Sequence, residues 1–262
     1  MFDLLRRRER ARPPEQRPRI ARAWPDVAYA IGDVHGCYDQ LQRLVELIEE
    51  DARDVTGSKL IVMLGDYVDR GPKSAAVLDW LCAPAPQGFD RICLAGNHEV
   101  LMLDFLDNPR TDASWLKFGG YDTLSSYGIS PDKFNRARSR DRADMLHASI
   151  PTEHPEFLRS LPSMLTFPNA VFVHAGLRPG LSLDAQHDDD LLWIREPFLT
   201  TEIPEDLLVV HGHTPASEPV VAGRRICVDT GAYATGVLTA VRLGDASVRF
   251  IDTRPNPQQA GI

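Results

Sequence analysis

Three absences narrow what this chain of 262 residues does. No stretch approaches 18 consecutive apolar residues, so no membrane-spanning helix is expected. The basic residues near the N-terminus are not followed by an apolar run, so a secretory signal is not expected either. The four cysteines, Cys37, Cys82, Cys93 and Cys227, form no C-x-x-C pair, and a chain this long needs no disulfide staples. They are expected as reduced thiols in a cytoplasmic protein. A Cys–phosphate loop is also lacking, which removes cysteine-dependent phosphatase chemistry.

Positive charge is scarce over most of the chain. The formal charge is −8, yet residues 1–22 hold eight arginines against Asp3, Glu9 and Glu15, a local balance of +5 that leaves −13 for the remainder. An acidic body argues against nonspecific nucleic-acid binding and against a nucleic-acid phosphodiesterase with a basic groove. It does not exclude an anionic substrate, because metals and local arginines reverse the field inside a cleft.

Residues 1–26, rich in Arg and Pro, are expected to form a solvated arm with little fixed structure. Met1, Phe2, Leu4 and Leu5 followed by Arg6, Arg7 and Arg8 have the composition of a weak tether to an acidic membrane or partner. One domain is expected over 27–252, with a tail over 253–262.

From Val27 a rhythm begins. Val27–Ile31, Leu60–Leu64 and Ile92–Ala95 are short apolar runs, each followed by glycine and then a polar residue. Helical periodicity follows each of them, with the second helix expected to open at Pro72. Alternating strand and helix implies βαβ units, whose ligands bind beyond the carboxyl ends of the strands. Residues 105–163 read as a helical insertion covering one side of the cleft. After Leu165 the pattern turns to short strands, at 170–173, 207–210, 226–228, 237–241 and 248–251. The architecture expected is α/β: a β-sandwich flanked by helices.

Chemistry concentrates at the strand ends. The motifs are G-D-V-H-G at 32–36, G-D-Y-V-D-R-G at 65–71, G-N-H-E at 96–99 and H-G-H-T-P at 211–215, with His174 after the run V-F-V. Asp33 and His35 alternate, so both point one way if strand geometry persists. Asp66 is the natural bridging carboxylate. Asn97 adds a neutral oxygen, and His174 and His213 add imidazole nitrogen. His211, two residues away, is the weaker candidate. Oxygen and imidazole without cysteine suit divalent metals acting as Lewis acids, and two such ions clamp a phosphoryl group and generate hydroxide at neutral pH. Manganese fits this mixed ligation, with iron or zinc as alternatives. His98, beside Asn97, suits a general acid, and Asp69 can hold its protonated form. Arg70 and Arg195 are candidates for bidentate phosphate binding. Glu99 either caps the following helix or supports the site from behind, and Asp229 is expected to shape the turn before Gly231.

Together the motifs resemble the metal-dependent phosphoprotein phosphatase family of the calcineurin-like phosphoesterase superfamily, in its small bacterial and bacteriophage-lambda form. The resemblance spans about residues 28–243 and includes W-L-K-F-G-G at 115–120, L-L-W-I-R-E at 191–196 and V-D-T-G-A at 228–232. It implies that Asp33, His35 and Asp66 hold one metal and Asp66, Asn97, His174 and His213 the other. It likewise implies an Asp69–His98 pair and a phosphate-binding Arg195. The leading expectation is a phosphomonoesterase for phosphoserine or phosphothreonine, with phosphotyrosine as a further substrate and in-line attack by hydroxide. The substrate is thus a phosphoprotein or a phosphorylated small molecule. The alternative is symmetrical diadenosine tetraphosphate hydrolysis. Asp69 and Glu99 weigh against it, since that family usually lacks the former and often has Asp for the latter. A non-catalytic binding module would have lost ligands or the proton donor, and this chain retains them all.

Overall fold

The computed structural model describes residues 16–244 and 247–255. The tether-like segment at 1–8 and most of the expected tail lie outside them. Two sheets pack face to face. One has five strands: β2 (Val27–Ile31), β3 (Lys59–Met63), β4 (Asp90–Cys93), β10 (Thr239–Gly244) and β11 (Ser247–Asp252), in the order β11-β10-β2-β3-β4. The other has six: β1 (Arg19–Ala21), β5 (Met164–Phe167), β6 (Ala170–Val173), β7 (Leu208–His211), β8 (Val220–Ala222) and β9 (Arg225–Cys227), in the order β1-β5-β6-β7-β9-β8. Parallel pairing joins β2, β3 and β4 in the first sheet, and β6, β7 and β9 in the second. The structure is therefore the α/β sandwich with flanking helices that the strand–helix rhythm implies.

Both faces of the central strands are covered, so they read as unbroken apolar runs rather than alternating ones. Within β2, Ala28 and Ala30 face the second sheet, where they meet Phe172, Val210 and Ile226. Val27, Tyr29 and Ile31 point the other way, into the helical layer. There α1 (Tyr38–Asp51) buries Leu41, Leu44, Val45 and Ile48, the i, i+3, i+4, i+7 stripe of an amphipathic helix. Each such side chain stabilises by about 1.5–3 kcal/mol.

The second helix, α2 (Ser74–Cys82), starts two residues after Pro72. Asp69 and Arg70 just before it have positive φ, 74° and 69°, which delays helical geometry. After α3 (Asn97–Asp107) the insertion comprises a kinked turn at Leu116–Gly120 and helices α4 (Tyr121–Ser126), α5 (Pro131–Arg136), α6 (Ser139–Ser149) and α7 (Glu153–Ser160). The second sheet carries one short helix, α8 (Asp188–Trp193), and a single turn, α9 (Ala232–Thr235).

The expected arm differs over its described part. Residues 19–21 form β1, parallel to β5. Its arginines work as fasteners: Arg17 donates to the Leu158 and Leu161 carbonyls, and Arg19 to those of Leu183 and Asp184. Trp24 stacks on Phe167 at 4.5 Å. A three-residue strand whose apolar residues are Ile20 and Ala21 leaves no periodic signal. No helix among the described residues is long and apolar enough to cross a membrane.

Candidate metal centre

The loops leaving β2, β3 and β4 are bound to one another before any ligand is considered. The Val34 and His35 N–H groups both donate to the Asp66 carbonyl, at 3.0 and 2.8 Å, and Gly36 donates to the Tyr67 carbonyl. Asp33 and His35 reach one site through a turn, with His35 at φ 44°, rather than through continued strand alternation. Asp66 is also left-handed, at φ 51°. Its backbone is held by Glu99, whose carboxylate accepts from the N–H groups of Gly96, Asp66 and Tyr67 at 2.8, 2.8 and 2.7 Å. Glu99 thus does both things the sequence left open: it caps α3 and shapes the Asp66 loop. Burial, and next the Asp66 charge, push its carboxyl up to about 7.

Asp66 sits at the centre. Its Oδ2 lies 3.6 Å from His35 Nε2, 3.4 Å from His174 Nε2 and 3.9 Å from His98 Nε2. Two groups of donors lie within 4.8 Å of one another, His35–Asp66–His98 and Asp66–His174–His213, and Asp66 belongs to both. Asn97 Oδ1 lies 2.9 Å from His174 Nε2. Asp33 joins from the side: its carboxylate accepts the His213 N–H and faces the buried Asp229. The six residues expected to hold metal are therefore brought to one place, although Asp33 falls outside the two tightest groups.

The histidines are set for ligation. His35 Nδ1 is 2.7 Å from the Val68 carbonyl and His174 Nδ1 is 2.9 Å from the Leu64 carbonyl. A carbonyl only accepts, so each Nδ1 carries a proton and each Nε2 is the nitrogen turned toward the site, free to bind a cation once deprotonated. The chemistry of this donor set fits divalent cations. Asp33, Asp66, Glu99 and Asp229 are all buried here. Burial pulls His174 down, but Asp66, Asp33 and Glu99 outweigh it and hold the imidazole at about 10. A field that draws a proton onto a buried histidine so strongly calls for positive charge.

His211 points away. It packs on Phe198 with ring centroids 5.1 Å apart, and burial pushes it down to about 4. It belongs to neither donor group.

His98 and Asp69 form a pair, Nδ1 to Oδ2, at 2.6 Å. Burial lowers His98, yet Asp66 and Asp69 outweigh it and hold it above its ordinary value. Asp69 is gripped from the insertion. Trp115 Nε1 donates to its Oδ2 at 2.8 Å, and the Thr123 hydroxyl donates to its Oδ1 at 2.7 Å. No local pattern marks this grip, because Trp115 and Thr123 lie 46 and 54 residues from Asp69. Asp229 accepts from the Gly231 N–H, as the expected turn requires, and its approach to Asp33 went unforeseen.

The two arginines stand at the mouth. One Arg70 terminal nitrogen is 3.3 Å from His98 Nε2, and its guanidinium lies 4.6 Å from the Tyr233 ring centre. Arg195 is exposed and donates to the His213 carbonyl at 3.2 Å. Its neighbour Glu196 accepts from the Thr200 hydroxyl.

Residues 28–244 match the family model of the calcineurin-like phosphoesterases. A bis(5'-nucleosyl)-tetraphosphatase PrpE of the asymmetrical type, from Halalkalibacterium halodurans, is 24% identical, over 86% of this chain and 93% of its own length. A symmetrical bis(5'-nucleosyl)-tetraphosphatase from Dechloromonas aromatica is 34% identical, but over 58% of this chain and 45% of that protein. The cold-active protein tyrosine phosphatase of a Shewanella species shares the fold, with a TM-score of 0.59 and 20% identity, over 89% of this chain and 80% of that one. With its match running through both sheets and every strand-end motif, this chain belongs to the calcineurin-like phosphoesterases.

Proposed function

We propose that this metal-dependent phosphoesterase hydrolyses a dinucleoside tetraphosphate. The observation that carries this reading is the near end-to-end match to a curated relative of that name. It displaces phosphoserine and phosphothreonine hydrolysis from first place. On this reading Asp33, His35, Asp66, Asn97, His174 and His213 hold two divalent cations. These cations supply Lewis acidity and a water activated at neutral pH. Manganese remains our proposal for the pair, on the mixed oxygen and nitrogen donors.

The chain's own groups supply the rest. Arg70 and Arg195 offer planar donors to the oxygens of the phosphoryl group under attack. Water oxygen bonds to phosphorus, the bridging P–O bond breaks, and the electron pair leaves with the departing phosphate. His98 Nε2 stands beside Arg70, placed to give that oxygen a proton, while Asp69 keeps the imidazolium oriented.

A second reading, hydrolysis of phosphoserine or phosphothreonine, is favoured by that same pair. A departing alkoxide is a far stronger base than a departing phosphate and has the greater need of a proton donor. The test compares kcat/KM for diadenosine tetraphosphate and a phosphothreonine peptide under identical manganese concentrations. A higher value for the dinucleotide is expected, and the reverse ranking overturns the first reading in favour of the second. Chromatography of the products reads the cleavage position: ATP with AMP for asymmetrical cleavage, two ADP for symmetrical.

A further inference from the structure

Tyr233 is the residue at the mouth that the chemistry has not used. It is 42% exposed. Its ring meets the His35 ring edge to face at 5.4 Å and carries the Arg70 guanidinium over it at 4.6 Å. The backbone below is fixed. Gly231 and Gly236, both left-handed at φ 61° and 73°, bracket the single turn α9. The Thr235 hydroxyl donates to the Thr230 carbonyl, and Asp229 accepts the Gly231 N–H. An exposed aromatic on a pinned turn is a surface held ready for another planar group.

We propose that Tyr233 is a nucleobase platform: it stacks the base of the nucleoside whose phosphate lies between Arg70 and the metal-binding residues. This inference rests on the dinucleotide reading and sharpens it. The Tyr233 ring is one residue's breadth from His35, and a nucleoside 5'-phosphate places its base about one ribose away from its phosphorus. Arg70 covers part of the ring, so the remaining face receives the base. A base then stacks on a ring already polarised by a guanidinium, which extends a cation–π pair into a three-layer stack. Stacking against an aromatic side chain is strong and tolerant of base identity, so recognition should extend to any purine dinucleotide.

The test separates stacking from an indirect effect through Arg70. Inhibition of para-nitrophenyl phosphate hydrolysis is measured with AMP, ribose 5-phosphate and methyl phosphate, all monoesters. In the wild-type protein AMP should inhibit about tenfold more strongly than the other two. Tyr233→Ala should erase that advantage, with ribose 5-phosphate and methyl phosphate unchanged, and Tyr233→Phe should keep it. Metal content by elemental analysis confirms that both variants retain the centre. If wild-type protein shows no preference for AMP, or if all three inhibitors weaken together in Tyr233→Ala, the platform is refuted. Turnover of diadenosine tetraphosphate by wild-type protein is scored separately. A Tyr233-dependent preference for AMP without that turnover sustains the platform while the dinucleotide substrate fails.

Discussion

Two sets of three parallel strands meet at the candidate metal centre, and they deliver their candidate ligands differently. Behind β2, β3 and β4 the loops are knitted together. Four N–H groups, of Asp66, Tyr67, Val68 and Gly96, converge on Glu99, and two more on the Asp66 carbonyl. Four non-glycine residues there, His35, Asp66, Asp69 and Arg70, take positive φ. Behind β6, β7 and β9 the loops are simpler. Gly212 donates to the His174 carbonyl, and His213 alone among the site histidines of that side has positive φ, 64°. Its N–H donates to Asp33, so this side leans on the first. The first set is a frame built in advance, and the second closes on it.

That contrast yields a graded series of outcomes. Removing the residue common to both sides should have the largest effect. Asp66→Asn should lose both metals and reduce kcat by about 10³-fold, whereas His213→Ala should mainly deplete one. Full occupancy by elemental analysis in Asp66→Asn would break the bridging assignment.

The proton donor comes next. His98→Asn should slow a phosphoserine peptide by about 10²–10⁴-fold, and para-nitrophenyl phosphate much less, because nitrophenolate needs little protonation. Equal losses on the two substrates at full metal occupancy would take His98 out of that role. Trp115→Phe removes one of the donors that grip Asp69 from the insertion. It should weaken the serine peptide reaction by about tenfold, since a hydrogen bond to a charged group is worth about 1.5–3 kcal/mol.

Glu99→Gln sharpens the comparison further. It exchanges a carboxylate for an amide that cannot accept four N–H groups as well. A loss of about 1–3 kcal/mol in urea unfolding is expected, together with weaker metal binding. A variant of the second side such as Thr214→Ala should change stability by less than 1 kcal/mol. Similar losses for the two would erase the distinction between frame and closure.

Metal addition reads the same centre through stability rather than through rate. Adding manganese at a hundredfold excess over its Kd should stabilise the folded chain by about 2.7 kcal/mol per site. That raises Tm by several degrees, and the rise should be absent in Asp66→Asn.

The sequence disclosed the first set of strands better than the second. A Gly-Asp after an apolar run marks a strand end that must turn tightly, and that signal recurs. β5 and β8 passed unnoticed: one is followed by Pro168 and the other, Val220–Ala222, is a three-residue edge. The candidate ligand residues were legible because their types are chemically constrained. Their geometry was not, since a left-handed aspartate such as Asp66 has no signature of its own. The alternation argument for Asp33 and His35 does not hold, because β2 ends at Ile31 and a turn brings the two side chains to one place. The support for Asp69 was hidden for a plainer cause, because contacts made across 46 residues leave no local pattern.

The cluster of positive-φ residues sets stability against function in this enzyme. Each non-glycine held there is about 1–3 kcal/mol above its relaxed state. A screen that selected only for heat resistance would be drawn to these positions, because Asp66→Gly or Asp69→Gly relieves the backbone. Survivors of such a screen would be sturdier and inert. A laboratory wishing to harden this chain should therefore leave residues 33–36 and 65–71 untouched and spend its changes on the insertion's outer surface.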